Sequence, residues 1–193
     1  ASPDPATGKP DPEKQKAFAA AHPETKVQAD FLKANNPPAS YASTPYYSLH
    51  AFRFENRAKQ ARYLRWQFVP QDGTRFLDDA ALSGTPPDFL EAAIKSRIAQ
   101  GPIRWDMVVT FAEAGDTLTD PTVPWPATRK QQRVGTLELK SVSAQAGGDC
   151  EKINFDPMVM SDGVAASDDP VLRFRSAAYA VSFGRRISDT PAK

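Results

Sequence analysis

Arg175 and Tyr179 stand four residues apart, and Arg186 follows seven beyond the tyrosine. On an α-helix, at roughly 100° per residue, the three fall within about 40° of one another, with Leu172, Ser182 and Phe183 beside them. A guanidinium held against a phenol oxygen favours the phenolate, a hard anionic ligand suited to ferric iron. The second arginine, two turns along, suits a carboxylate of something bound to the same face. The same spacing also describes an ordinary amphipathic helix, with tyrosine on the core and arginines at its rim. Spacing alone leaves both readings open.

Other chemistries have less to work with. The chain of 193 residues contains two histidines, His22 and His50, and one cysteine, Cys150. One thiol forms no internal disulfide, and Cys150 has no Cys or His at zinc-site spacing. The histidines could serve a Ser-His-Asp arrangement only with acid and nucleophile brought from elsewhere. No nucleophile elbow, dinucleotide fingerprint or P-loop motif occurs. With 24 Lys+Arg against 23 Asp+Glu and 40% hydrophobic residues, neither nucleic-acid binding nor wholesale disorder is favoured. No apolar run reaches membrane-span length, and the start lacks a basic-then-apolar leader pattern. The compartment stays open between cytoplasm and periplasm, with the proline-rich start leaning towards the latter.

The elements that must position these residues follow from period and punctuation. Ala1 to Pro10 reads as an extended arm. Asp11-Pro12 opens a short helix that stops at His22-Pro23, and a second runs from Lys26 to Ala34 before Asn35-Asn36-Pro37-Pro38. From Tyr46 the period becomes two: a run through Phe52 and Phe54, a polar turn at Glu55 to Lys59, then Leu64, Trp66 and Phe68 on one face predict a hairpin. Ile103, Trp105, Met107, Val109 and Phe111 give the clearest strand, and Gly135 to Ser141 a weaker one. Leu90, Ile94 and Ile98 after Pro86-Pro87-Asp88 predict a helix closed by Gly101. Asp116 to Lys130 is a long ordered loop. The segment from Phe155 to Gly163 is turn-rich, and Ser167-Asp168-Asp169-Pro170 caps a terminal helix.

The residues on that helix then carry a resemblance. Arg175-Ser176-Ala177-Ala178-Tyr179 with Arg186 is similar to the proximal haem helix of catalases, Arg-x-x-x-Tyr followed seven residues later by Arg. Phe155-Asp156-Pro157, Asp162-Gly163-Val164 and Ser167-Asp168-Asp169 resemble the family's approach to that helix. Tyr47-Ser48-Leu49-His50-Ala51-Phe52 resembles its Y-G-S-H-T-F strand. Val123-Pro124-Trp125-Pro126 with Val134-Gly135-Thr136-Leu137-Glu138-Leu139 resembles its V-W-P and V-G-x-L-x-L stretch. The blocks agree in order and approximate spacing from Pro37 to Arg186, and within the family they resemble the small catalase-related haem peroxidases.

The resemblance implies an α+β fold, the antiparallel catalase-type β-barrel, here in its later strands, with peripheral helices and a C-terminal proximal haem helix. It divides one domain into an arm with short helices (1–36), later barrel strands with an inserted helix (37–145), and a wrapping segment with the haem helix (146–193). It implies haem b, with Tyr179 as the axial ligand to iron, as is general for catalase, and Arg175 holding it as the phenolate. Arg186 would pair with a haem propionate, and Pro157, Val171, Ala178 and Phe183 would line the proximal face. Asp169 would support Arg175 from behind, as would Gln67, which stands where typical catalases carry a histidine. The family's distal histidine and asparagine match nothing here, so the chain is expected to be the C-terminal part of a longer haem peroxidase. Implied partners are peroxide, a small organic reductant and the N-terminal part of the same enzyme, without nucleic acid or a membrane span; a homodimer is compatible. The alternative is a non-catalytic β-barrel binding module, or a fragment inactive without the distal half.

Overall fold

The computed structural model describes residues 7–144 and 148–188. Most of the expected arm, and the boundary placed between 145 and 146, therefore lie outside the described residues. The elements run α1 (Pro12–Ala21), α2 (Lys26–Ala34), β1 (Tyr46–Tyr47), β2 (Phe52–Glu55), β3 (Ala61–Pro70), α3 (Asp79–Ser83), α4 (Phe89–Ile98), β4 (Ile103–Phe111), β5 (Gln131–Leu139), β6 (Val164–Ala166) and α5 (Pro170–Ser188).

The six strands form one antiparallel sheet in the order β5-β4-β3-β2-β6, with β1 also paired to β3. Among the described residues it is an open sheet, with β5 and β6 at its two edges; the expected barrel is not closed here. Leu64, Trp66 and Phe68 lie opposite Phe111, Val109 and Met107, so the period-two apolar residues of β3 and β4 share one face. Ile103 and Trp105 extend that face into a core with Ala42, against which Phe68, Ile94, Ile98 and Leu139 pack. The apolar stripe of α4 covers this end of the sheet. Tyr63, Arg65 and Gln67 stand on the other face, over which the 116–130 segment runs.

Local chemistry sets most boundaries. Asp11 Oδ1 accepts from the amides of Glu13 and Lys14, and Pro12 occupies the first helical position of α1. Gly101 takes a φ of 124° after α4, a conformation that side chains resist. Asp169 Oδ1 accepts from the amides of Val171 and Leu172 at 2.8 and 3.2 Å, which makes it the cap of α5. That helix passes through Gly184 and ends at Ser188.

Four features differ from the sequence reading. The run from Tyr46 to Phe54 is broken: between Tyr47↔Gln67 and Phe52↔Leu64 it takes five steps while β3 takes three. Ser48 to Ala51 thus bulge from the ladder, and a bulge re-aims the side chains on it. β5 starts at Gln131, four residues before the expected strand, and its register shifts at Met107/Val108. β6 arises in the three residues between the turn-rich stretch and the cap of α5, where it pairs along β2. The short helix α3 is capped by Asp78 Oδ1, which accepts from the Ala81 amide at 2.7 Å, and ends at Gly84.

Candidate functional site

α5 brings the expected constellation together. Arg175 Nη2 donates to the Tyr179 hydroxyl oxygen at 2.5 Å, and its guanidinium carbon lies 5.1 Å from the Tyr179 ring centroid. Arg186 lies over the ring of Phe183 at 5.3 Å and donates to the Ile153 carbonyl at 2.8 Å. Arg175, Tyr179, Phe183 and Arg186 are half-buried, whereas Val171 and Ala178 are exposed. The 148–163 segment runs alongside: Ser176 Oγ donates to Asp156, whose carboxyl this bond and the Met158 amide hold below its usual range. Pro157, half-buried, follows that aspartate.

The two residues expected behind Arg175 have other partners. Asp169 gives one oxygen to the first turn of α5 and the other to His50, whose Nδ1 lies 2.7 Å from Oδ2. No hydrogen bond joins it to Arg175 among the described residues. Gln67 stands on β3 and lines a cavity of about 810 Å³ with Tyr47, Leu49, Arg65, Trp125 and Leu32 of α2. No hydrogen bond joins Gln67 to Arg175 among the described residues.

Sequence reasoning missed the His50–Asp169 pair, whose members lie 119 positions apart. Its one local signal is a histidine at the break in strand periodicity. The pair is no part of a nucleophilic triad: His50 is 5% and Asp169 0% exposed, and the nearby Ser48 hydroxyl donates to the His50 carbonyl at 2.7 Å. His22 lies on the surface, 2.9 Å from Glu24, and Cys150 is an exposed free thiol.

Among the described residues no group of three or more His, Cys, Asp or Glu is placed to hold a metal ion, and no helix is long and apolar enough to cross a membrane. The donor set of α5 does fit an iron porphyrin: a phenol oxygen that already acts as acceptor from a fixed cation, an aromatic ring beside it, and a further arginine on the same face.

Comparison with known proteins bears on the family and the fold. The catalase family model matches residues 1–190. The chain is 53% identical over 184 residues to a catalase-related peroxidase of Synechococcus elongatus, covering 95% of this chain and 54% of that protein. It is 40% identical over 152 residues to a catalase-related peroxidase of Mycolicibacterium paratuberculosis, covering 78% and 48%. A solved bacterial catalase superposes with a TM-score of 0.84 at 23% identity, over 96% of this chain and 38% of that one, which speaks for the fold. The chain belongs to the catalase family. It spans about half the length of these curated relatives.

Proposed function

We propose that this chain forms the tyrosine-bearing side of a haem b site in a catalase-family peroxidase, which reduces hydrogen peroxide or an organic peroxide at the expense of an organic electron donor. The observation that carries this reading is the Arg175–Tyr179 pair on α5, supported by family membership and by the two peroxidase relatives.

Haem, when bound, would supply the redox chemistry of peroxide cleavage, and Tyr179 would hold it through an oxygen that lends electron density to the metal. The residues of this chain bind and orient it. Tyr179 offers its oxygen as the iron ligand. Arg175 donates to that oxygen, fixing the ring and holding positive charge where the phenolate must persist. Arg186 answers a carboxylate of the cofactor, and Val171, Ala178, Phe183 and Pro157 give apolar surface to a flat ring. A donor on α5 is fixed better than one on a loop, because the backbone ladder holds its direction.

The test is peroxide-dependent oxidation of a phenolic donor by the haem-loaded protein. Arg175→Gln is expected to lower the rate by at least about tenfold, the scale of losing a charge-assisted hydrogen bond. An unchanged rate would contradict the reading. A protein that takes up no haem at all would favour a non-catalytic binding module.

A further inference from the structure

Ser176 fills an unassigned position of the Arg-x-x-x-Tyr pattern, yet its hydroxyl makes a charge-assisted bond. It donates to Asp156 Oδ2, on a segment that belongs to no strand or helix. Ser176 stands three residues before Tyr179, so on α5 the two are surface neighbours, about 5–6 Å apart at Cβ. Whatever Asp156 holds is therefore held within one helical turn of the tyrosine.

Asp156 holds a turn. Its carbonyl accepts from the Val159 amide at 3.2 Å, and its Oδ1 accepts from the Met158 amide at 2.8 Å. Such a turn favours aspartate at its first position and proline at its second: the carboxylate binds the amide two residues on, and the pyrrolidine presets φ. Pro157 also pushes Asp156 out of the helical region, which leaves the aspartate little backbone freedom. One carboxylate oxygen thus builds the turn, and the other hooks it to α5. Pro157 and Met158, both half-buried, are carried on this unit. The chain is tethered on either side as well, where Arg186 donates to the Ile153 carbonyl and Glu55 N to the Gly163 carbonyl. Those tethers lie three and seven residues from Asp156. At about 3.3–3.6 Å per residue, that is about 10 Å of chain on one side and about 23 Å on the other. Neither length fixes Pro157 to the ~1 Å on which a site geometry depends. The hook to Ser176 does.

We propose that Asp156 and Ser176 are a positioning pair for the tyrosine site: their bond seats the 156–159 turn beside Tyr179, so that Pro157 closes on bound haem and helps retain it. This rests on the reading of Tyr179 as the haem ligand. The first test is the rate of haem loss from the loaded protein to excess apomyoglobin, in Ser176→Ala and Ser176→Thr. Alanine is the better helix former, so a serine that served α5 alone would leave retention unchanged or improved in Ser176→Ala. The hook predicts the reverse. Loss should be about tenfold faster or more in Ser176→Ala, the scale of one bond to a charged group, and should return near the wild-type rate in Ser176→Thr, which keeps the hydroxyl. Asp156→Ala, which also loses the turn, should release haem at least as fast, and adding Ser176→Ala to it should change little further. Wild-type retention in Ser176→Ala, or effects that multiply in the double variant, would overturn the proposal; should Asp156→Ala not fold, the two serine variants decide. The second readout is hydrogen exchange of the Met158 and Val159 amides in the haem-free protein. Relative to β3 and β4 amides it should quicken severalfold in Ser176→Ala and recover in Ser176→Thr, and unchanged exchange would show that the hook orders no turn. A Tyr179→Phe protein with an unchanged haem spectrum would sink the ligand reading separately, leaving the exchange result to decide whether the pair seats the turn on α5.

Discussion

Arg65 lies over the indole of Trp125, 4.6 Å from guanidinium carbon to ring centroid, and donates through Nη1 to the Val123 carbonyl at 2.9 Å and through Nη2 to Asp120 at 3.2 Å. One side chain on the outer face of β3 thus holds three points of the 116–130 segment. That segment has no ladder of its own, so its order depends on such tethers. Burial pushes the guanidinium pKa down from its ordinary value, against the fields of Asp169, Asp116 and Asp120.

Arg65→Met keeps the stem and removes every donor. It should destabilise the protein by about 1–3 kcal/mol and open the segment, with Trp125→Leu producing a smaller loss of about 0.5–2 kcal/mol. Limited trypsin digestion reads the opening directly, since Arg129 and Lys130 end the segment. Cleavage there should accelerate in both variants, and wild-type rates in Arg65→Met would show that the tether is idle.

The same segment has an acid-sensitive clasp. Arg129 grips Asp116 with two nitrogens at 2.9 Å each and reaches Glu113 at 2.8 Å; the Asp116 side chain is 3% exposed. The Arg129 hydrogen bonds, and then the Glu113 amide, hold the Asp116 carboxyl below the usual carboxylate range. A folded pKa below the unfolded one gives stability that is fully present above the ordinary value, near 4, and is lost as pH falls through the lowered one. Wild-type Tm should accordingly fall more steeply than that of Asp116→Asn as pH drops from about 4 towards 2. Parallel curves would show that the clasp carries no such linkage.

Two glycines should respond in opposite directions. Gly163 has a φ of 79°, and a Cβ built there would sit 2.9 Å from the Glu55 carbonyl oxygen, whose residue donates its own amide to the Gly163 carbonyl at 2.7 Å. Gly163→Ala must break the join of β2 to β6 or strain it, and should cost about 1–3 kcal/mol. Gly184 lies inside α5 with open space at its Cβ, so Gly184→Ala should stabilise by about 0.5–1 kcal/mol. Thermal unfolding of the two variants separates the effects, and a destabilised Gly184→Ala would mean that this surface is covered.

Much of this architecture was legible because it is local. The alternation from Ile103 to Phe111, the four-residue stripe through Leu90, Ile94 and Ile98, and the cap ahead of Pro170 each follow from one element's own residues. The Asp78 and Gly84 signals that bound α3 were equally present, but five residues carry too little periodicity to stand out. What stayed hidden depends on distant partners. Val164 to Ala166 has no strand pattern of its own and exists as β6 through pairing with Phe52 to Phe54. His50 looked like one residue of a strand, and only the bulge turns it towards Asp169. At the site, Arg175 and Tyr179 were readable from a single turn of helix. The partner of Asp169 lies across the fold.

The central claim is that Tyr179 is the residue that meets iron. Titrating the protein and its Tyr179→Phe variant with hemin, and recording the Soret and charge-transfer bands of the ferric form, tests it most directly. The expected result is a tyrosinate-ligated spectrum in the wild type that is lost in Tyr179→Phe while the fold, followed by far-UV circular dichroism, is retained. An identical spectrum in both proteins would contradict it.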